Sequence, residues 1–488
     1  MVKSIQHFNE ISVEVFERII TEFYKHPTDM ASFVHGLTEE LHKVGILLIQ
    51  ETLEEMDTML CESGKRLFEW VIEQHNTKHL LTSLGEVTFK KTLFTNKKTG
   101  EMRYLLDQIL GLEKGERITE DAEAAMLEEA VQTSYRRGGE AASILDKTSK
   151  QTVKKKIHHL QFPPMQKPEQ KKEVEYLYVE ADEDHIALQF REKKGDLVRD
   201  ENGRKNNNAI TKLVYVHEGI MPEAPKSTRY RLINPHYFAG TAKSISNALF
   251  WKEIYEYIDS HYVLEKVKKI YVSSDGGGWI KAGAGQLGRT VHVLDQFHLE
   301  KNIGRICNHM KDSAADVSEE LHKLIRGGTK QEFRELLETL KEYFPNGEPS
   351  KRFLESGEYI LSNWTAARYR LRKAEGVIGS STEGHVSHVL ASRMSTRAMG
   401  WSLLGADKMA RLRVYYLNGG KMLDLVRFQK QAFPKAAGAE DMVFSASQVM
   451  QQEKKHHGIL GKYHDAITHS IGIGDKKKIW FQSHIWGL

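Results

Sequence analysis

Apolar residues recur at three- and four-residue spacing through ISVEVFERIITEFY and through GILLIQETLEEMDTMLCESGKRLFEWVIEQ, so residues 1 to about 80 read as helical. The period then changes. EVTFKKTLF alternates apolar and polar positions, a turn follows at Asn96 to Gly100, and EMRYLLDQIL comes after it. This pattern predicts a β-hairpin whose outward face, with Lys90, Lys91, Lys97, Lys98 and Arg103, is basic. Helix returns over Thr119 to Arg137, with acids in its first turn. In GGEAASILDKTSKQTVKKKIHHL the expected elements are a short helix from Glu140 to Leu145, a turn at Asp146 to Thr148, and a second helix capped by Ser149. The second helix turns Val153 and Ile157 inward and Lys150, Gln151, Lys154 and Lys155 outward, the layout of a helix-turn-helix. An ordinary helical hairpin fits the same spacing.

FPPMQKPEQKK, with three of the chain's ten prolines, predicts an extended spacer. Beyond it the pattern becomes α/β. EYLYVEAD reads as a strand with an acidic end, HIALQF as its hairpin partner and KLVYVHEGI as a third strand. A helix is expected over Thr241 to Tyr262. VKKIYVSSDGGGWI is a fourth strand ending in Asp275 and glycines, and RTVHVLDQFHLEKNIGRI is a fifth that runs into a helix. His298 to about Arg372 is helical, and GVIGSSTEGHVSHVLASRM makes a loop and a helix carrying Glu383.

Composition narrows the classes. Forty per cent of residues are hydrophobic, which excludes a disordered chain. No stretch reaches the roughly 18 apolar residues of a membrane span. MVKSIQHFNE lacks a secretory apolar run, and a cytoplasmic, nucleoid-associated location is expected. Cys61 and Cys307 lie too far apart in sequence to form a zinc site by themselves. A net charge of +4 does not point to nucleic acid, but its distribution does. Arg136 to Lys172 holds ten Lys or Arg against three Asp or Glu, and basic runs recur at Lys454–Lys455 and Lys476–Lys478.

Three antiparallel strands, a helix, two further strands and a late helix form an RNase H-like topology. In that layout an acid on the first strand lies beside one at the end of the fourth, and an acid on the late helix closes the site. Asp182, Asp275 and Glu383 fall at those places, although Glu180, Asp182 and Asp184 share one strand face and alternation does not choose among them. Such a set suits two Mg²⁺ or Mn²⁺ ions about 4 Å apart, as in phosphodiester transfer.

YVEADEDHI, VSSDGGGWIK, LDQFHLEKN, GSSTEGHVSHVLASRMSTRAMGWS and the ending HIWGL together resemble the bacterial ISLre-type insertion-sequence transposases, first catalogued as an uncharacterised protein family. More distantly they resemble Mutator-like transposases with a DDE core. The resemblance implies Asp182 as first acid, Asp275 as second and Glu383 as third. It also implies an all-helical insertion before the last catalytic helix. Asp295 and His298 match the Cys-or-Asp and His, three residues apart, of Mutator-like enzymes, with His298 beside the site. Trp364 is a candidate for stacking on a flipped base. Many insertion-sequence enzymes place Lys or Arg seven residues after the last Glu. Here that position is Leu390, Arg393 is the nearest cation, and His385 and His388 are alternatives.

The expected organisation is a helical region with hairpin and helix-turn-helix, 1–160, that binds transposon ends, and a linker, 161–172. An RNase H-like α/β core, 173–298, follows, then a helical insertion, 299–372, the last catalytic helix, 373–415, and a basic C-terminal region, 416–488. The expected partners are double-stranded DNA, as terminal inverted repeats and target, and further copies of the chain. The competing readings are another RNase H-like nuclease or resolvase and an inactive DNA-binding regulator.

Overall fold

The computed structural model describes residues 3–189, 207–242, 244–344, 348–379, 382–397 and 399–432. The basic C-terminal runs therefore lie outside the described residues. The chain divides into two compact units, Met1–Val153 with the end from Met422, and Lys154–Lys421. No described helix is long and apolar enough to cross a membrane.

In the first unit the helix Met30–Glu62 lies on a sheet of β1 (Trp70–Leu81), β2 (Glu86–Asn96) and β3 (Met102–Arg103). Residues 70–81 are thus a strand, not the helix their spacing predicts. Antiparallel pairing with β2 and burial of Trp70 and Leu80 against Leu53 and Leu60 override a weak local preference. After the turn, only Met102 and Arg103 pair before the chain becomes helical at Leu105–Ile109. Lys91 is not on the outward basic face. It is buried with Val87 and Phe89, and its ammonium lies 3.6 Å from the Tyr104 ring centre beside the Asp107 carboxylate. Burial pushes its pKa down, against the pull of Asp107. The helix Met422–Ala432, expected in a separate C-terminal region, belongs to this unit, where Arg427 and Lys430 pair with Glu120.

The second unit is built on a five-stranded sheet, with β4 (Tyr176–Ala187), β5 (Asn208–His217), β8 (His236–Thr241), β9 (Lys269–Ser274) and β10 (Thr290–Leu294). A small hairpin, β6 (Ile220–Pro222) with β7 (Tyr230–Leu232), lies between β5 and β8 in sequence. The order across the sheet is β10-β9-β4-β5-β8; β5 is antiparallel to β4 and β8, while β9 and β10 run parallel to β4. His185 to Ala187 continue the first strand instead of forming a second one. The expected third strand is second, and the third is β8, within six residues just before the helix Asn247–His261. Leu177, Val179, Ala181, Val214 and Val216 form one sheet face, covered by Phe250, Trp251 and Ile254 of that helix. Tyr178, Glu180, Asp182 and Asp184 take the other face by alternation.

The proline-rich stretch, expected as an extended spacer at a domain boundary, lies within the second unit and packs on its core. Lys172 N–H donates to His261 O at 2.8 Å, Val263 N–H donates to Lys172 O at 2.9 Å, and Met165 rests on the apolar cluster. Between β10 and the Glu383 helix the described residues include the α-helices Gln296–Cys307, Ala314–Gly327, Lys330–Lys341, Lys351–Ser362 and Trp364–Arg372, around a core of their own.

Candidate functional site

Register brings three aspartates level. Ala181 lies opposite Ser274 in the parallel pair of β4 and β9, and Ser274 opposite Leu294 in the pair of β9 and β10. The next residue on each strand is Asp182, Asp275 and Asp295. Neighbouring strands are about 4.8 Å apart, so these acids stand in a row, Asp275 and Asp295 just past the carboxyl ends of β9 and β10 and Asp182 level with them in the middle of β4. Gly276 follows with φ +87°, and a Cβ there would meet Asn363 Oδ1 at 2.4 Å, so only glycine fits both conformation and space. Gly277 N–H donates to Asp275 Oδ1 at 2.8 Å, and Tyr359 Oη donates to the Asp275 carbonyl at 2.5 Å. Asp295 caps the helix Gln296–Cys307 through the His298 N–H at 3.2 Å, and His298 Nδ1 lies 3.1 Å from the same oxygen.

Electrostatics tie these groups together. The His298 pKa is raised, first by its hydrogen bond to Asp295 and also by the charges of Asp295, Asp182 and Asp275, with burial opposing. Burial and the charges of Asp275, Asp295 and Asp182 push the Tyr359 hydroxyl pKa up. Burial, with help from Lys281 and against Asp275, holds His292 down at about 4. Among the described residues no Lys or Arg forms an ion pair with Asp275.

The three acids on β4 have different surroundings. Both oxygens of Glu180 are engaged, by Tyr215 and Thr382 hydroxyls on Oε2 and by His217 beside Oε1. Asp184 accepts from Ser395 Oγ at 2.9 Å, and burial raises its pKa. Asp182 Oδ1 accepts from Glu183 N–H at 2.8 Å, and Asp182 is the acid level with Asp275. Glu383 stands in the first turn of the helix Thr382–Val386; its side chain lies outside the described residues. Among the described residues no group of three His, Cys, Asp or Glu is placed to hold a metal ion. Asp182 and Asp275 are nevertheless hard oxygen donors of the kind that Mg²⁺ takes, one or two carboxylates with retained waters.

Other expected residues fall elsewhere. Arg393 is 4% exposed, with its guanidinium 5.1 Å from the Trp401 ring centre, so it is packed inside and not offered to DNA. Leu390 is fully buried. His385 stacks on Tyr215 at 4.7 Å, and His388 is exposed. Trp364 is 5% exposed and meets Phe333 edge-on at 5.3 Å; it is core of the helical insertion and not an exposed stacking platform.

Around the expected helix-turn-helix, Val153 and Ile157 are buried and Lys150, Gln151 and Lys155 exposed, with Lys154 half-buried. Thr152 N–H donates to Ser149 Oγ at 3.2 Å, the expected cap of the helix Lys150–His159. The preceding helix is Tyr135–Ala141, earlier than the pattern suggests, because the chain folds back on it. Thr148 N–H donates to Gly139 O at 2.9 Å, and any Cβ at Gly139 would lie 2.3 Å from Thr148 O.

Sequence reasoning missed the buried role of Glu180 and also Arg370. Arg370 donates to Leu294 O at 2.8 Å, to Ser273 Oγ at 3.0 Å and to Ile378 O at 2.5 Å. It fastens the last insertion helix to the strand ends that precede Asp275 and Asp295. A lone Arg within ARYRLR carries no signal of that burial.

A model of the uncharacterised protein family UPF0236 matches residues 25–432. One UPF0236 protein of Caldanaerobacter subterraneus subsp. tengcongensis is 30% identical over 426 residues, covering 87% of this chain and 85% of its own. Its name joins eleven loci of that organism. A second from the same organism is 32% identical over 420 residues, covering 86% and 84%. A third, whose name joins four loci, is 31% identical over 426 residues, covering 87% and 85%.

Proposed function

This chain belongs to the uncharacterised protein family UPF0236, and we propose that it is a DNA transposase with an RNase H-like core, in which Asp182, Asp275 and Glu383 form the carboxylate triad. The observation that carries this reading is the level pair Asp182, in the middle of β4, and Asp275, at the carboxyl end of the parallel strand beside it, with the Glu383 helix anchored to the same face of β4. Carboxyl ends of parallel strands are where open α/β sheets meet ligands. The strand order, three antiparallel then two parallel, agrees with the RNase H-like expectation. Relatives whose single names span many loci fit an element that multiplies within a genome.

Mg²⁺ or Mn²⁺ held by the triad would activate the attacking oxygen and stabilise the leaving one. The chain's own groups do the rest. His298, biased toward its charged form by Asp295, offers a cation beside the row of acids where a phosphate approaches. Gly278, with nothing within 4 Å of a Cβ position, leaves room for a strand backbone. Lys150, Gln151, Lys154 and Lys155 are the proposed contacts to terminal repeats, lysines to phosphate and Gln151 to a base edge. The active species is proposed to be an oligomer on double-stranded DNA.

The test is cleavage of a duplex carrying the inverted repeats that flank the coding region. The parent is expected to nick it with Mg²⁺ and to join the free 3′ end to target DNA. Asp275→Asn is expected to bind DNA as the parent does and to leave the strands intact. Metal-dependent nicking without joining would reassign the chain to another nuclease class, and parental nicking by Asp275→Asn would remove the triad.

A further inference from the structure

The helix that carries Glu383 is fastened to the sheet by a carboxylate outside the triad. Glu180 is 2% exposed. Its Oε2 accepts from Tyr215 Oη at 2.7 Å and from Thr382 Oγ1 at 2.6 Å, and its Oε1 lies 3.3 Å from His217 Nε2. His217 is itself fixed. It is fully buried, its Nδ1 lies 3.0 Å from Gly219 O, and Tyr178 stacks on its ring at 5.2 Å. Tyr215 serves twice, because its ring also stacks on His385 at 4.7 Å. Thr382 and His385 are thus both held, one by the Glu180 carboxylate and the other by the tyrosine that donates to it.

Thr382–Val386 runs on through a π-helical turn, Ser387–Ala391, into Ser392–Met394, and Thr382 opens that run. The N–H groups of a first helical turn have no intrahelical partners and helix ends fray, so the placement of this turn depends on its anchors. Glu180 and Asp182 lie two residues apart on one face of β4, whose backbone is paired to β5 throughout this stretch and to β9 up to Ala181. Thr382 immediately precedes Glu383. A rigid path of few bonds therefore runs from the Asp182 carboxylate through β4 to Glu180, Thr382 and Glu383. A buried carboxylate is costly unless its partners satisfy it, and an apolar residue would fill the space without that cost.

We infer that Glu180 is a positioning residue: through Thr382 it sets where Glu383 stands relative to Asp182 and Asp275, without touching the reacting groups. The inference rests on the reading of Glu383 as the third acid of the site.

The Thr382 hydroxyl is the link to cut, since Glu180→Gln would also disturb His217. Full-length parent, Thr382→Val and Thr382→Ser are compared in three measurements. The first, without metal, is amide hydrogen exchange of the segment containing 382–386. The second is Mn²⁺ binding followed by electron paramagnetic resonance. The third is single-turnover nicking in Mg²⁺ with the DNA Kd measured alongside. For Thr382→Val, exchange is expected to quicken about tenfold, the effect of one lost buried hydrogen bond. Mn²⁺ binding should weaken and nicking should slow by about ten- to a hundredfold, as for a misplaced catalytic group, while the DNA Kd stays at the parental value. Thr382→Ser restores all three. Parental exchange in Thr382→Val overturns the clamp. Faster exchange with parental Mn²⁺ binding and nicking overturns the positioning role. A parent that neither binds Mn²⁺ nor nicks overturns the triad reading, and with it the catalytic purpose of the clamp. The exchange data still decide separately whether Glu180 holds the helix.

Discussion

Acidification from pH 7 to pH 5 is expected to weaken the second unit through two half-buried imidazoles, His236 and His292. His236 on β8 stacks on Tyr257 at 4.2 Å, with Asn418 Nδ2 3.3 Å from its Nε2. His292 on β10 has Nε2 2.7 Å from Ser274 Oγ, one residue before Asp275. Burial, aided by the charge of His261, takes His236 from 6.5 to about 4, and burial takes His292 over the same span. The unfolded chain takes up each proton near pH 6.5 and the folded chain only near pH 4. Between those values the unfolded state binds more protons, so stability falls as pH falls. At pH 5 each imidazole then removes about 2 kcal/mol relative to pH 7, or about 4 kcal/mol for the pair.

Other groups act in the same range. The raised pKa of His298 works in the opposite direction, adding stability as pH falls through its folded value, and the raised Asp184 does so at lower pH. The measurement is therefore a difference. Urea unfolding, followed by tryptophan fluorescence at pH 7 and pH 5, is compared for parent, His236→Gln, His292→Gln and the double variant. Each substitution should shrink the pH-dependent loss by about 2 kcal/mol, and the double variant by about twice that. If the loss between pH 7 and pH 5 is the same in the double variant as in the parent, the folded protein does not hold these imidazoles neutral and the reasoning fails.

Glu383→Asp should cut nicking strongly in Mg²⁺ and recover partly in Mn²⁺, because a carboxylate must sit within about half an ångström to act; parental rates in both metals would move the third acid elsewhere. Lys154→Ala with Lys155→Ala should weaken binding to every sequence and flatten the salt slope by up to about two, so an unchanged slope removes this helix from the DNA. Trp364→Ala should cost about 3 to 5 kcal/mol of stability, as removal of a core aromatic against Phe333 does. A stable Trp364→Ala protein with weakened DNA distortion would return that residue to the nucleic acid.

Residues whose surroundings are local in sequence were readable in advance. SSDGGGW announces a strand end and a close turn, and the backbone makes both at Ser274 to Gly277. Val153 and Ile157 are inward at the spacing of one helix face. Alternation could also have turned Lys91 inward, since it shares the side of Val87 and Phe89; the density of lysines around it argued for a surface instead. The strand β1 was hidden because WVIEQHNTKHLL follows a long helical pattern, and its partner lies beyond a turn. Likewise β8 is short and takes its identity from pairing with β5. The burial of Arg393 and the partners of Glu180 are not legible in the sequence for one reason. Charged side chains are usually exposed, and nothing in the neighbouring sequence reveals a Trp401 ring or a Thr382 hydroxyl waiting elsewhere in the fold.

The acids of the site pose the same problem in its sharpest form. Alternation alone leaves Glu180, Asp182 and Asp184 equivalent, because all three point to one face of β4. Their partners separate them. Asp184 is tied to Ser395, beyond the Glu383 helix in sequence, Glu180 to Thr382 at the start of that helix, and Asp182 is level with Asp275 on the next strand. Three like charges spaced along one strand would repel one another unless each were given a different counterpart. The chain supplies hydroxyls for Glu180 and Asp184, while Asp182 accepts from the Glu183 N–H and stands level with Asp275, and two level carboxylates can share a divalent cation. That is the physical reason to look for metal-dependent chemistry at Asp182 and Asp275, and to look for placement, rather than chemistry, at their neighbours.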